Sequence, residues 1–137
     1  MYPEEMVAPM RADLTVAGVK ELRTAEAVDA ALSDKDKSAL LVVNSVCGCA
    51  AGNARPGIKM ALTHSKLPSD TFTVFAGVDR EAVDQARKHM LPYPASSPSI
   101  ALFKGGKLVH MIERHHIEGR AAEMIAENLK AAFDEYC

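Results

Sequence analysis

Two of the three cysteines in this chain, Cys47 and Cys49, stand one residue apart with Gly48 between them. A thiol pair at this spacing can exchange with disulfides. In that chemistry Cys47 attacks as a thiolate, and Cys49 then attacks Cys47 to release the adduct. Gly48 has the backbone freedom that so tight a disulfide ring requires. Because a strained disulfide is easily reduced, the pair predicts an isomerase or an acceptor of small-thiol adducts.

The elements around the cysteine pair place it at the end of a buried strand. Residues 39–46 are nearly all aliphatic, which indicates a strand covered on both faces. Residues 50–62 are predicted to form a helix that Pro56 kinks. Sites in parallel α/β sheets gather at the carboxyl ends of strands. The free N–H groups at the start of the following helix should lower the pKa of Cys47 below the ordinary thiol value of ~8.5.

The other segments predict an α/β fold of the thioredoxin-like type, with a central mixed sheet, helices on both faces and an N-terminal helical extension. The extension, at residues 1–17, has Met6, Met10 and Leu14 on one face and is interrupted by Pro9. We expect a single domain over residues 1–137. Further strands are predicted at 19–22, 71–76, 99–103 and 107–112, and further helices at 25–32, 79–90 and 118–136.

Two other interpretations of the cysteine pair remain open. The thiols could be inert core residues, or they could bind zinc or copper(I), which favour thiolate ligands. A closed zinc site needs two further ligands, and no histidine is paired with the cysteines by helical spacing. We therefore predict no metal site, and we expect the histidines to be exposed. The five histidines are His64, His89, His110, His115 and His116.

Three more positions are candidates for the site or for further chemistry. In a thioredoxin-like fold, Pro98 is expected to follow a cis peptide bond and to face Cys47, with Ser97 offering backbone hydrogen bonds to an extended substrate. An ordinary trans loop proline is the alternative. Arg55 is either a cation for an anionic substrate or a plain surface charge. Cys137, the last residue, is either a frayed terminal thiol or a partner in intermolecular exchange.

The composition limits the classes of protein to which this chain could belong. The net charge is −2 with acids and bases interspersed, so the sequence predicts neither a nucleic-acid-binding nor a membrane-surface protein. The apolar runs are too short to cross a bilayer, and the N-terminus lacks the features of a signal peptide. We therefore expect a cytoplasmic protein, in which cysteines are more often reactive than structural.

The cysteine segment also carries a family resemblance. The block Asn-Ser-Val-Cys-Gly-Cys-Ala-Ala-Gly at residues 44–52, followed by Ala-Arg-Pro at 54–56, resembles the active-site signature of the bacilliredoxin family. The similarity extends over essentially the whole chain. It includes Val-Ala-Pro-Met-Arg at 7–11, Val-Phe-Ala-Gly at 74–77, Ser-Ser-Pro-Ser at 96–99, Arg-His with Ile-Glu-Gly between 114 and 119, and the end of the chain from 131.

The resemblance implies a thioredoxin-like fold and removal of bacillithiol from S-bacillithiolated proteins. Cys47 would take the bacillithiol, Cys49 would resolve the adduct, and a second bacillithiol or a reductase would complete the cycle. It implies no bound cofactor, only bacillithiol as co-substrate. General disulfide isomerisation is the alternative within the same chemistry. Because bacillithiol carries a malate group, Arg55 is the predicted cation for it.

Overall fold

A five-stranded mixed sheet forms the centre of the protein in a computed structural model that describes residues 2–137. The sheet order is β1-β3-β2-β4-β5, with β1, β2 and β3 mutually parallel and β4 antiparallel to β2 and β5. The strands are β1 (Lys20–Glu21), β2 (Ser38–Asn44), β3 (Asp70–Phe75), β4 (Ser99–Lys104) and β5 (Lys107–Ile112).

The central strand β2 is buried along its whole length. Its apolar side chains alternate between the two faces, with Leu40 and Val42 on one side and Leu41 and Val43 on the other. Both faces are covered, which confirms the prediction from the unbroken aliphatic run. The strand ends at Asn44, so the cysteine loop leaves the sheet at the carboxyl edge of its most buried strand.

Helices cover both faces of the sheet, as predicted. One face packs against α1, α3 and α6, through fully buried residues such as Leu14, Ile58 and Phe133. The other packs against α2 and α4, through Val28 and Val83. Burial of each large apolar side chain stabilises the fold by about 1.5–3 kcal/mol. The helices are α1 (Glu4–Thr15), α2 (Ala25–Leu32), α3 (Arg55–Ala61), α4 (Arg80–His89), α5 (Arg114–Ile117) and α6 (Ala122–Tyr136).

The first helix differs from the prediction. It runs through Pro9 without a break, and its buried face carries Val7, Arg11 and Leu14. Met6 is 46% exposed. The face is shifted because Arg11 points inward, where its guanidinium donates to Asp79 at 2.7 Å. An apolar-spacing rule cannot anticipate a charged residue on the buried side of a helix.

The helix predicted at 118–136 begins later in the structure, and a short turn that we did not predict precedes it. A single turn, α5, follows β5, and α6 begins only at Ala122. Gly119 separates the two with a φ of +71°, a backbone conformation that glycine adopts at little cost. This break leaves Arg114 and Glu118 on a short turn at the end of the sheet, rather than on the long helix.

No helix within residues 2–137 has the length and apolar character that crossing a membrane requires.

Candidate active site

The loop that carries the cysteines is fixed by its own backbone and side-chain hydrogen bonds. The amide of Ser45 donates to Asn44 Oδ1 at 2.9 Å, and the amide of Cys47 donates to Ser45 Oγ at 3.2 Å. The carbonyl of Cys47 accepts from the amides of Ala50 and Ala51. The loop therefore presents Cys47 in one defined orientation immediately before the next helix.

The sulfur of Cys47 receives two hydrogen bonds. The backbone amide of Cys49 donates to Cys47 Sγ at 3.4 Å, and Arg114 Nη2 donates to it at 3.3 Å. The backbone amide and the thiol of Cys49 are the largest causes that lower the pKa of Cys47, and the positive charge of Arg114 adds to them. Partial burial opposes the shift without reversing it.

The pKa of the second thiol, Cys49, is shifted in the opposite direction. Hydrogen bonding to Cys47 raises the pKa of Cys49, and burial and the negative charges of Cys47 and Glu118 raise it further. Both cysteines are free thiols and half-buried. The pair therefore loses its first proton from Cys47 and keeps the second on Cys49, which suits a nucleophile followed by a resolving thiol.

A π-helical turn over Ala50–Ala54 joins the cysteines to α3. We predicted a helix kinked at Pro56; the structure instead places the irregularity before the proline. The amide of Arg55 donates to the carbonyl of Ala50, five residues earlier. This wider turn accommodates the missing N–H of Pro56, and such turns are frequent at functional sites.

The peptide bond between Ser97 and Pro98 is cis. Pro98 is buried, and Ser97 lines the same groove as Cys47. The carbonyl oxygen of Ser97, which we expected to be open to an extended substrate, accepts from Arg114 Nη1 at 3.3 Å. The cis-proline loop and the cysteine loop are thus linked through one guanidinium group.

The structure corrects the prediction for Arg55. This residue is only 4% exposed and cannot meet a substrate or act as a plain surface charge. Its Nε donates to Asp13 Oδ2 at 3.0 Å, and its Nη1 donates to Asn44 Oδ1 at 2.9 Å and to the carbonyl of Ser45 at 3.0 Å. Arg55 lies behind the cysteine loop because the π turn directs it inward, and it holds the loop in place.

Arg114 is the cation at the site that sequence reasoning missed. Its side chain is 44% exposed, and its Nε donates to the Glu118 carboxylate. Arg114 is 67 positions from Cys47, so no local spacing connects the two. The signal that could have identified it is the family-like segment at 114–119, which the resemblance included without assigning it a role.

A groove of about 370 Å³ opens beside Cys47. The cysteine loop, the end of β3, the cis-proline loop and the N-terminal Tyr2 form its walls. The lining residues are Tyr2, Ser45, Val46, Cys47, Ala76, Gly77, Ser97 and Arg114. A disulfide entering this groove would reach Cys47 directly.

The remaining candidates lie outside the groove. Glu113, His115 and His116 form the only group of three or more histidine, cysteine or acidic residues in 2–137 whose ligand atoms are close enough to hold a metal, and this group does not include the cysteines. The positive charge of Arg114, which donates a hydrogen bond to Cys47 Sγ, also disfavours a metal cation at that sulfur. Cys137 is half-buried and packs against the core instead of fraying.

Comparisons with known proteins show the family of the chain. The profile of a family described as disulphide isomerase matches residues 2–137. A bacilliredoxin of Cytophaga hutchinsonii is 62% identical over 135 residues, covering 98% of this chain and 99% of the relative. A bacilliredoxin of Koribacter versatilis is 53% identical over 137 residues, covering 100% of this chain and 94% of the relative.

Solved thioredoxins have the same fold at low identity. Thioredoxin of Schistosoma mansoni superposes with a TM-score of 0.58 at 13% identity, covering 87% of this chain and 98% of that chain. Mitochondrial thioredoxin 3 of Saccharomyces cerevisiae gives a TM-score of 0.56 at 14% identity, covering 86% and 95%. The predicted thioredoxin-like fold is confirmed, and the fold together with the relatives defines a thiol–disulfide oxidoreductase.

The full-length matches narrow this class further. The chain belongs to the bacilliredoxin family, the one that its profile describes as disulphide isomerase. The family resemblance noted in the sequence is therefore confirmed.

Proposed function

We propose that this protein removes bacillithiol from S-bacillithiolated proteins, with Cys47 as nucleophile and Cys49 as resolving thiol. The observation that carries the proposal is the sulfur of Cys47, which faces an open groove and accepts hydrogen bonds from Arg114 and the Cys49 amide. Both donors favour the thiolate, the form that attacks disulfides.

In the first step, the Cys47 thiolate attacks the bacillithiol sulfur of the mixed disulfide. A bond forms between Cys47 Sγ and that sulfur, and the bond to the target protein's sulfur breaks. The electron pair leaves with the target cysteine, which takes a proton from solvent and is released as a thiol. The raised pKa of Cys49 keeps this second thiol protonated while Cys47 reacts.

In the second step, Cys49 loses its proton and attacks Cys47 Sγ. The new Cys47–Cys49 disulfide forms as bacillithiol leaves as a thiolate. Gly48 has no contact within 4 Å of the place where a Cβ would stand, so the backbone between the thiols is free to adjust to the tight ring. Two further bacillithiol molecules, which leave joined as bacillithiol disulfide, or a partner reductase supply the two electrons that restore the dithiol.

We assign Ser97 and Pro98 to one wall of the substrate groove. Ser97 lines the groove and bonds to Arg114, and the buried cis-proline fixes its position. In this proposal the cycle needs no bound cofactor, because bacillithiol enters and leaves as a co-substrate. The partners are thiolated or disulfide-bonded proteins and a low-molecular-weight thiol, not nucleic acid or membrane. The protein acts as one domain in the cytoplasm.

The test is intact mass spectrometry after mixing the protein with a reporter protein that carries bacillithiol on a single cysteine. Cys49→Ser should accumulate one bacillithiol adduct, which peptide mapping locates on Cys47. Cys47→Ser should leave the reporter thiolated. Cys137→Ser is the matched control and should behave as wild type. An adduct on Cys49, or reporter reduction by Cys47→Ser, would overturn the assignment.

Protein disulfide isomerisation is the second candidate, favoured by the description of the matching family as disulphide isomerase. It uses the same Cys47 attack on a protein disulfide in place of a bacillithiol adduct. Recovery of activity from a scrambled reporter enzyme measures it. Efficient rescue without any transfer of bacillithiol would assign the protein to isomerisation.

A further inference from the structure

Arg114 has capacity for a ligand beyond its contacts within the protein. A guanidinium group carries five N–H donors. Three are used, by the Glu118 carboxylate, by the Ser97 carbonyl and by Cys47 Sγ, so two remain. The side chain lines the groove beside Cys47 and is 44% exposed. The remaining donors are therefore within reach of a molecule bound to Cys47.

The charge around Arg114 changes during the proposed reaction. Before attack, the guanidinium faces two anions, the Cys47 thiolate and Glu118. When Cys47 forms a disulfide its sulfur becomes neutral, and one of the two anionic partners is lost. A carboxylate on the thiol now attached to Cys47 would replace that partner with a charge-assisted hydrogen bond. A neutral adduct offers no such replacement.

The cis-proline side of the groove also favours a small ligand over a polypeptide. A polypeptide that binds along an exposed backbone edge needs main-chain carbonyl oxygens as acceptors. Arg114 already occupies one of the two lone pairs of the Ser97 carbonyl, which leaves one for a polypeptide. A compact thiol that contacts the guanidinium itself does not require this carbonyl.

We propose that Arg114 is the specificity-determining residue of the site, selecting mixed disulfides whose small-thiol half carries a carboxylate. The inference rests on the proposed function, since it concerns the adduct that forms on Cys47. Glu118 is a positioning residue, because it holds Arg114 through Nε and leaves both terminal nitrogens directed toward Cys47 and Ser97.

The test compares two adducts of one reporter protein with a single cysteine. One adduct is mercaptosuccinate, and the other is its uncharged diamide, which has nearly the same shape. In both reactions the target thiolate is the same leaving group. The ratio of the two transfer rates removes any general effect of a variant on Cys47 reactivity, and dividing it by the same ratio measured with free cysteine removes the intrinsic difference between the adducts. This normalised ratio therefore reports charge recognition by the protein.

Wild type should have a normalised ratio of about five in favour of mercaptosuccinate, the size expected for one exposed charge-assisted contact. Arg114→Gln should bring the ratio to about one. Arg114→Lys should recover part of it, because it keeps the charge and loses the two-pronged geometry. Arg120→Gln removes an exposed charge of the same α5–α6 region and should keep the wild-type ratio.

The outcomes separate this inference from the proposed function. A normalised ratio of one in wild type, or an unchanged ratio in Arg114→Gln, would overturn the role of Arg114 and leave the exchange chemistry intact. Absence of transfer from either adduct to wild-type Cys47 would instead overturn the proposed function.

Discussion

Arg55 lies behind the cysteine loop and Arg114 lies in front of it, and the two guanidinium groups differ in burial and in partners. Arg55 is almost fully buried, and its polar contacts are Asp13, Asn44 and the Ser45 carbonyl. Arg114 is partly exposed and bonds to the reactive sulfur itself. Arg55 therefore shapes the cysteine loop, whereas Arg114 adjusts the chemistry of Cys47.

The two regions should therefore respond differently to mutation. Losing a contact behind the loop should lower the free energy of unfolding, because buried polar groups lose their partners. Losing a contact in front of the loop should leave the fold intact and change the reactivity of Cys47. We expect the largest effect from the loss of Arg55 and the smallest from a change at Asp13.

Arg55→Met should lower the free energy of unfolding by about 3 kcal/mol, because the hydrogen bonds of the buried guanidinium to Asp13, Asn44 and the Ser45 carbonyl are lost together. Urea unfolding measures the change. Lys59→Met is the matched control, since Lys59 contacts the same Asp13 carboxylate but is 42% exposed, and it should cost much less. Equal losses in the two variants would contradict a special role for the buried cation.

Gly57→Ala should destabilise by about 1–3 kcal/mol through overpacking between α3 and α6. A Cβ at this position would stand 2.9 Å from both the Ala122 carbonyl oxygen and Ile125 Cβ. Gly52→Ala, which has no atom within 4 Å of a new Cβ, is the control for thermal unfolding. Equal stability of Gly57→Ala and Gly52→Ala would contradict the close approach of α3 to α6, which fixes the position of α3 and Arg55.

Arg114→Gln should raise the pKa of Cys47 and slow its alkylation by iodoacetamide at pH 7, while the free energy of unfolding stays close to that of wild type. Arg114 is one of the groups that lower this pKa, so its loss reduces the thiolate fraction near neutrality. The rates of variant and wild type should converge at high pH, where both are thiolates. An unchanged pH profile would show that Arg114 does not act on the sulfur.

The smallest effect is expected at Asp13. Lys59 and Arg55 lower its pKa below the ordinary value of 3.8. A carboxyl whose folded pKa is lowered contributes stability above its unfolded pKa, and this contribution is lost as the pH falls through the folded value. The stability of wild type should therefore fall more steeply below about pH 4 than that of Asp13→Asn. Parallel curves of urea midpoint against pH would contradict the ion pairing.

The strands and the cysteine loop follow directly from the sequence, because β2 is a continuous aliphatic run and the cysteines come just after it. Thr24 at the start of α2 is also readable, and its side chain accepts from the Ala27 amide as an N-cap. Asp79, which looks like a cap for α4, makes no capping bond and instead binds Arg11 and Arg23. Local chemistry does not show which long-range partner such a carboxylate finds.

The two arginines show the same limit at the site. Arg55 is close to the cysteines in sequence, so it was the natural candidate for a substrate cation, but the π turn rotates it inward. Arg114 reaches Cys47 because β5 ends beside the start of β4, where Arg114 contacts Ser96 and Ser97. Folding brings these two residues together from 67 positions apart, and such a contact leaves no spacing pattern in the sequence.

The most direct test of the account is the pH dependence of alkylation of the three cysteines in the reduced wild-type protein, followed by peptide mapping. We predict that Cys47 reacts first, with a pKa below that of an ordinary thiol, and that Cys49 reacts only at higher pH. Alkylation of Cys49 before Cys47, or the same ordinary thiol pKa for both, would contradict the assignment of nucleophile and resolving thiol.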